Sequence, residues 1–393
     1  MAKVIGLTGD EAVAYAVKQC DVDVIAAYPI TPQTVMVERL SDYVADGEID
    51  AEFVPVESEH SALSVCVGAS LTGARVFTAT CSQGLALMHE ILYIASALRC
   101  PIVMAIANRA LSAPINIHCD HSDTLGSRDS GWIQIYTENV QEVYDSIIEA
   151  FRISEDKRVL LPTMVCLDGF ILSHCMERVE TLEDAEVKGF LLPKPEYPYP
   201  IDPERPMTYG PVALPDFYFE FKRQQEEAMK NARSVIREVN DAFAKLSGRK
   251  YDVIRADFIE DSDVVIMCMG SAVGTMRHAV RELRKEGLKV GLIKVRVYRP
   301  FPEEELRKAL EDKKVVIAMD RACSPGAMGG PLYEDVCSLL YDAEPKPKVA
   351  NVVYGLGGRD LTPSDAKGIC KYALEILKTG IVKERIKFVG VRE

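Results

Sequence analysis

Short apolar runs alternate with amphipathic stretches of helical length along almost the whole chain. That rhythm limits the fold more than any other feature of the sequence. VDVIAAYP, AEFVPV, ARVFTAT, PIVMAIAN and VLLPTMVCLD have the length and composition of buried strands. EAVAYAVKQ, PQTVMVERLSDYVA, SEHSALSVCVGAS, GLALMHEILYIASA and VQEVYDSIIEAFRISE carry apolar residues at helical spacing, with Thr8 placed to cap the first. Strands alternating with helices predict right-handed βαβ units and a parallel sheet covered on both faces. The rhythm stops between Pro193 and Pro215, where eight of the 21 prolines fall. No helix or central strand tolerates that density, so 193–215 is expected to be an extended connector. A long polar helix, FYFEFKRQQEEAMKNARSVIREVNDAFAKL, follows. A smaller α/β pattern then resumes through SDVVIMCMG, LKVGLIKVRV, KKVVIAMD and KVANVVYGLGG. The expected architecture is α/β, with one domain over 1–245 that includes the connector and a smaller one over 246–393.

Charge and cysteine usage narrow the function. The 393 residues carry 46 basic and 59 acidic side chains, a net −13. Nucleic acid and anionic membrane surfaces demand clustered positive charge, so neither is expected as the main partner. No apolar run is long enough to cross a bilayer, and the N-terminus lacks the pattern of a secretory signal. The expectation is a cytoplasmic protein. The eleven cysteines are odd in number and form no CxxC. They are expected to be reduced thiols, with no zinc ribbon or ferredoxin-type cluster held by this chain.

Several strand ends carry candidate chemistry. In YPITPQT, Pro32 forbids α geometry at Thr31. Thr31 then either caps the next helix, the commoner outcome, or turns its hydroxyl toward an anionic ligand. Glu57 and Glu59 lie where a strand meets a helix; either they complement the helix dipole or one is buried against a cofactor. Ser82-Gln83-Gly84 form a similar junction. Arg109 ends a very apolar strand, where its guanidinium suits a carboxylate or an ordinary ion pair. The loop after it holds His118, Asp120, His121 and Asp123, whose spacing matches no metal motif. GAMGG and GLGGR are not GxGxxG, and neither a Walker sequence nor GxSxG occurs.

Taken together, YPITP, VESEHSA, FTATCSQG, the NRA…DHSD…RDSGW loop, VYRPFP and GLGGRD resemble the alpha chain of pyruvate:ferredoxin oxidoreductase. The resemblance covers nearly the whole chain and points to the thiamine-diphosphate-dependent 2-oxoacid:ferredoxin oxidoreductases. It implies a pyrimidine-binding domain followed by a transketolase-C-terminal-like domain. It implies thiamine diphosphate shared with a beta subunit, which holds magnesium and the diphosphate through a GDG element absent here. The 4Fe–4S clusters would also lie on partner chains, so the implied partners are beta, gamma and delta subunits, ferredoxin, coenzyme A and a 2-oxoacid. By motif, Glu59 matches the glutamate that hydrogen-bonds the pyrimidine ring, a role that needs a desolvated carboxyl. Thr31 matches the threonine that contacts the oxoacid, and Arg109 the arginine that pairs its carboxylate. Pro29, Ile30, Ser82 and Gln83 are implied cofactor neighbours. Residues 116–123 match a loop bordering the substrate, with no individual roles.

The implied reaction is oxidative decarboxylation of pyruvate to acetyl-CoA and carbon dioxide. Small hydroxyl residues at Thr31 and Ser112 favour an alkyl oxoacid over oxalate. A branched-chain oxoacid is the close alternative, and 2-oxoglutarate ranks third because no extra basic residue stands out. From other classes, a non-catalytic scaffold subunit is opposed by the joint presence of Glu59, Thr31 and Arg109. A nucleotide-binding module is opposed by the lack of a glycine-rich loop after the first strand.

Overall fold

The computed structural model describes residues 3–194, 204 and 206–392. Ten residues of the 193–215 stretch, 195–203 and 205, lie outside them. The chain builds two mainly parallel α/β sheets and a small antiparallel pair, Lys3–Leu7 with Glu177–Thr181. The first sheet runs in the order Val297–Arg299, Ile133–Tyr136, Thr163–Asp168, Val103–Asn108, Val76–Thr80, Val24–Ala27, Glu52–Pro55. Its central strands VFTAT, VMAIAN and TMVCLD are buried along their whole length. Helices cover both faces, which is why those strands read as continuous apolar runs without alternation. The second sheet runs Ile386–Val389, Lys348–Tyr354, Val315–Asp320, Val264–Cys268, Gly291–Val295, Ile254–Asp257. The architecture is the α/β one expected.

Local signals explain the element boundaries. Thr8 caps the helix Gly9–Gln19 in a capping box: its hydroxyl accepts from the Glu11 N–H, and Glu11 accepts from the Thr8 N–H at 3.0 Å. Gly248, at φ +73°, ends the long helix Pro215–Ser247. Three expectations need correction. Thr31 does not cap a helix; the helix starts at Thr34 with Gln33 at the cap, because the Gln33 amide is turned inward to the carbonyls of Tyr28 and Ala79. GLALMHEILYIASA is two helices, Ser82–Leu87 and His89–Ala97, that meet at Met88. LKVGLIKVRV is also divided. Gly291–Val295 joins the second sheet, whereas Val297–Arg299 crosses to pair antiparallel with Ile133–Tyr136 at the edge of the first.

The helix Val140–Glu155 is buried on nearly every face despite four internal carboxylates. Each carboxylate meets a cation brought from elsewhere. Glu142 meets Lys294 and, at 2.9 Å, Arg296; Asp145 meets Arg249; Glu149 meets Arg296; Glu155 meets Arg75 at 2.6 Å. Lys294 and Arg296 come from the second half of the chain, so this helix is the ionic seat on which the second half docks. Buried carboxylates are tolerated only with such partners.

Candidate active site

The strand order of the first sheet reverses at Val24–Ala27. From it the chain moves outward to Glu52–Pro55, then returns to the other side as Val76–Thr80. A crevice forms beyond the carboxyl ends of strands at such a point, and ligands of open α/β sheets bind there. The segments 28–34 and 81–84 leave the two strands flanking it, and 109–123 leaves the next strand.

Ser58 caps the helix Glu59–Ser70, its hydroxyl accepting from the Ser61 N–H at 3.3 Å. Glu59 is thereby the first helical residue. It is 6% exposed, and among the described residues no group donates a hydrogen bond to its carboxylate. Gly84 lies against it: a Cβ there would come within 2.6 Å of Glu59 Oε1 and would also strike Thr80 Oγ1. That Thr80 hydroxyl is itself buried without a partner. A buried hydroxyl without a partner is costly unless a bound group completes it. The glycine leaves room for close approach.

Arg109 is buried at the same edge. Its Nε donates to the Asn116 carbonyl at 3.0 Å and its Nη1 to the Thr31 carbonyl at 2.9 Å. The Cys81 thiol donates to the same Thr31 carbonyl at 3.1 Å, and burial pushes that thiol's pKa far up. Thr31 is held by its backbone, with its side chain exposed beside Tyr28 and Pro29, and Ile30 is half-buried. Ser82 adopts φ +47°; its hydroxyl donates to the Ala110 carbonyl at 2.6 Å and its N–H to Asp123 at 3.0 Å. Gln83 is half-buried at its side. Glu59, Ser82, Gln83, Thr31 and Arg109 therefore gather at the carboxyl edge of the first sheet.

The loop residues behave differently from a metal cluster. Asp123 is buried and accepts from the N–H groups of Ser82, Arg109 and Thr124 and from the Asn108 amide at 2.8 Å. It ties the 109–123 segment to the 81–84 segment. Desolvation by burial raises its pKa despite those donors. Asp120 binds Ser122, and His118 stacks on Phe170. His121 bonds Asp168 at 2.8 Å. Donor atoms of Cys119, His121 and Asp168 lie within 4.8 Å of one another. The Asp168 carboxylate, however, already receives Ser271 and Arg321. Burial alone would raise the Asp168 pKa; the facing His121, Arg321 and Ser271 outweigh it and hold the carboxyl well below its usual range.

Sequence reasoning missed the part played by GLGGRD. Gly357 and Gly358, at φ +59° and +80°, lie against Asn116 and His118, where side chains at either position would collide. The Gly358 N–H donates to the Cys119 carbonyl at 2.6 Å, and the Gly357 carbonyl accepts from the Asn116 amide at 3.0 Å. The usable signal was three glycines within four residues directly after a strand. Such a run marks close backbone approach even where it is no phosphate loop.

Two family models match the chain. Residues 15–241 match the thiamine-diphosphate-binding domain of pyruvate flavodoxin/ferredoxin oxidoreductase. Residues 262–366 match core domain II of pyruvate:ferredoxin oxidoreductase. The chain belongs to this family. Its relatives include pyruvate synthase subunit PorA of Methanocaldococcus jannaschii, 52% identical over 375 residues and covering 95% of each chain. The PorA subunit of Thermotoga maritima is 50% identical over 390 residues, covering 99% of this chain and 98% of that one. Ketoisovalerate oxidoreductase subunit VorA of Pyrococcus abyssi is 44% identical over 388 residues, covering 98% of this chain and 97% of that one. Among solved structures, a 2-oxoglutarate:ferredoxin oxidoreductase from Magnetococcus marinus shares the fold at a TM-score of 0.71 and 20% identity. That match covers 94% of this chain but 65% of the solved one, so this chain spans about two thirds of its length. Among the described residues no helix is long and apolar enough to cross a membrane.

Proposed function

We propose that this chain is the catalytic alpha subunit of a pyruvate:ferredoxin oxidoreductase. The complex converts pyruvate and coenzyme A to acetyl-CoA and carbon dioxide, and two electrons leave singly to ferredoxin. The observation that carries the reading is Glu59, a buried residue whose carboxyl receives no hydrogen bond among the described residues, at the switch point of a thiamine-diphosphate family fold. Residues 1–245 then form the pyrimidine-binding domain and 246–393 the transketolase-C-terminal-like domain.

When bound, thiamine diphosphate supplies the carbon nucleophile that attacks the 2-keto group and takes up the electrons released on decarboxylation. Glu59 is the residue to hold and return a proton at the pyrimidine ring. Gly84 and Thr80 keep the approach to that carboxyl clear. Pro29, Ile30, Ser82 and Gln83 border the ring. Arg109 spends two of its N–H groups on Asn116 and Thr31 and presents the rest to the oxoacid carboxylate. Thr31 offers its exposed hydroxyl beside it. The diphosphate and magnesium belong to a beta subunit and the 4Fe–4S clusters to partner subunits, in line with the absence of GDG and CxxC from the sequence.

A branched-chain oxoacid is the second reading, favoured by the VorA relative. Side-by-side turnover of pyruvate and 2-oxoisovalerate by the assembled complex decides between them. Glu59→Gln tests the first reading. Oxoacid-dependent dye reduction should fall about 10²-fold or more, the usual worth of a positioned acid–base group. Undiminished turnover would remove Glu59 from the mechanism.

A further inference from the structure

The chain has a second switch point. In the second sheet, Val264–Cys268 lies between Gly291–Val295, which follows it, and Val315–Asp320, which returns on its other side. The helix Ala272–Lys285 starts at this point, and Arg321 directly follows the returning strand. A helix N-terminus beside a guanidinium is suited to an anion. The group that lies there is a carboxylate of the other domain. Asp168, the last residue of its strand in the first sheet, accepts the Ser271 N–H at 3.1 Å, the Ser271 hydroxyl at 2.5 Å and Arg321 Nη1 at 2.8 Å, all on Oδ2. Its Oδ1 bonds His121 Nε2 at 2.8 Å. Gly270, at φ +68°, lets the turn close over it; a Cβ there would reach within 2.8 Å of Asp168 Oδ1. A cavity of about 170 Å³ adjoins the pair, lined in part by Ser271, Thr275, Arg321 and Tyr354. The Tyr354 hydroxyl is buried there without a partner.

Bonds run from this pin to the candidate active site. The Arg321 carbonyl accepts the His121 N–H at 2.8 Å, and Arg321 Nε holds the Gly355 carbonyl at 3.2 Å. Gly357 and Gly358 grip Asn116 and Cys119. The Asn116 carbonyl receives Arg109 Nε, and Arg109 Nη1 holds Thr31. We infer that Asp168 is the built-in ligand of the second domain's strand-end anion site, and that this pin is a positioning device. Through the 116–121 loop it fixes the angle at which Arg109 meets the substrate carboxylate. The inference rests on the role proposed above for Arg109.

The test uses the assembled complex. Asp168→Ala empties the anion site and releases His121, while Glu59, Thr31 and Arg109 keep their own side chains. KM for pyruvate should rise about tenfold, the scale of a lost charge-assisted contact, with a smaller change in kcat and none in KM for coenzyme A. Sodium formate, small enough for the adjoining cavity, should restore KM by taking the vacated place between Ser271 and Arg321. Arg321→Met should raise KM in the same way but resist formate. If Asp168→Ala does not assemble, Asp168→Asn, which keeps the shape and loses the charge, should show an intermediate KM. A wild-type KM in either Asp168 variant, or an Asp168→Ala defect that formate leaves unmoved, overturns the inference. Arg109→Lys separates the two readings. A wild-type KM there removes the underlying assignment, whereas a raised KM beside an unaffected Asp168 variant removes the pin alone.

Discussion

Gly84→Ala tests the geometry around Glu59 with a single methyl group. The added Cβ would lie 2.6 Å from Glu59 Oε1 and 2.9 Å from Glu59 Cγ. Ordinary contact begins near 3.4 Å, so the carboxyl must give way by about 0.8 Å and Thr80 Oγ1, at 2.3 Å, by about 1.1 Å, unless the helix Ser82–Leu87 shifts instead. A misplacement of that size at a reacting group costs on the order of 10²-fold in rate. Stability should change much less. Alanine gains up to ~1 kcal/mol of helix propensity over glycine, against an overpacking cost of ~1–3 kcal/mol. The assay is oxoacid- and coenzyme A-dependent dye reduction by the complex, paired with a circular dichroism melt of the same preparation. The expected result is a large loss of kcat at a nearly unchanged melting temperature. Full turnover would mean that the Glu59 carboxyl is not required where the fold holds it. A loss accompanied by global unfolding would mean that the methyl disturbs the sheet and not the site.

Other consequences concern the ionic seat. Arg75→Met removes the bidentate partner of buried Glu155 and the donors to the Cys20 and Leu192 carbonyls; urea denaturation should show a loss of about 3–5 kcal/mol. Burial raises the Glu149 pKa to about 7, against the opposing pull of Arg296. A carboxyl whose folded pKa is raised stabilises the fold fully at low pH and loses that contribution as pH climbs through 7. Glu149→Gln should therefore gain stability relative to wild type between pH 5 and 8, by up to ~3 kcal/mol. Parallel melting temperatures across that range would contradict the assigned ionisation.

Periodicity and caps made the βαβ order and most element positions legible, because apolar spacing and Thr8 act locally. What stayed hidden depends on partners distant in sequence. Gln33 displaces Thr31 from the helix start only because its amide finds the Ala79 carbonyl, 46 residues away. Asp123 looked like one acid in a polar loop; its donor at Ser82 appears only when Val76–Thr80 and Val103–Asn108 stand side by side. Glu59 was legible through a resemblance, whereas Gly84 could be read only as part of a strand-to-helix junction, with nothing to link it to Glu59. Val297–Arg299 reads as a continuation of the strand before it, and nothing in its own residues announces a change of sheet.

That change of sheet bears on how such a gene could be cut. Val297–Arg299 covers the outer edge of Ile133–Tyr136, and Tyr298 packs on Tyr136 at 6.1 Å between ring centroids. A fragment stopping at 245 would leave an uncovered row of backbone amides next to bare aromatic rings, a surface prone to self-association. The two halves are thus sewn together by a three-residue stitch, and any rearrangement in evolution must carry them as one piece or supply a substitute hem.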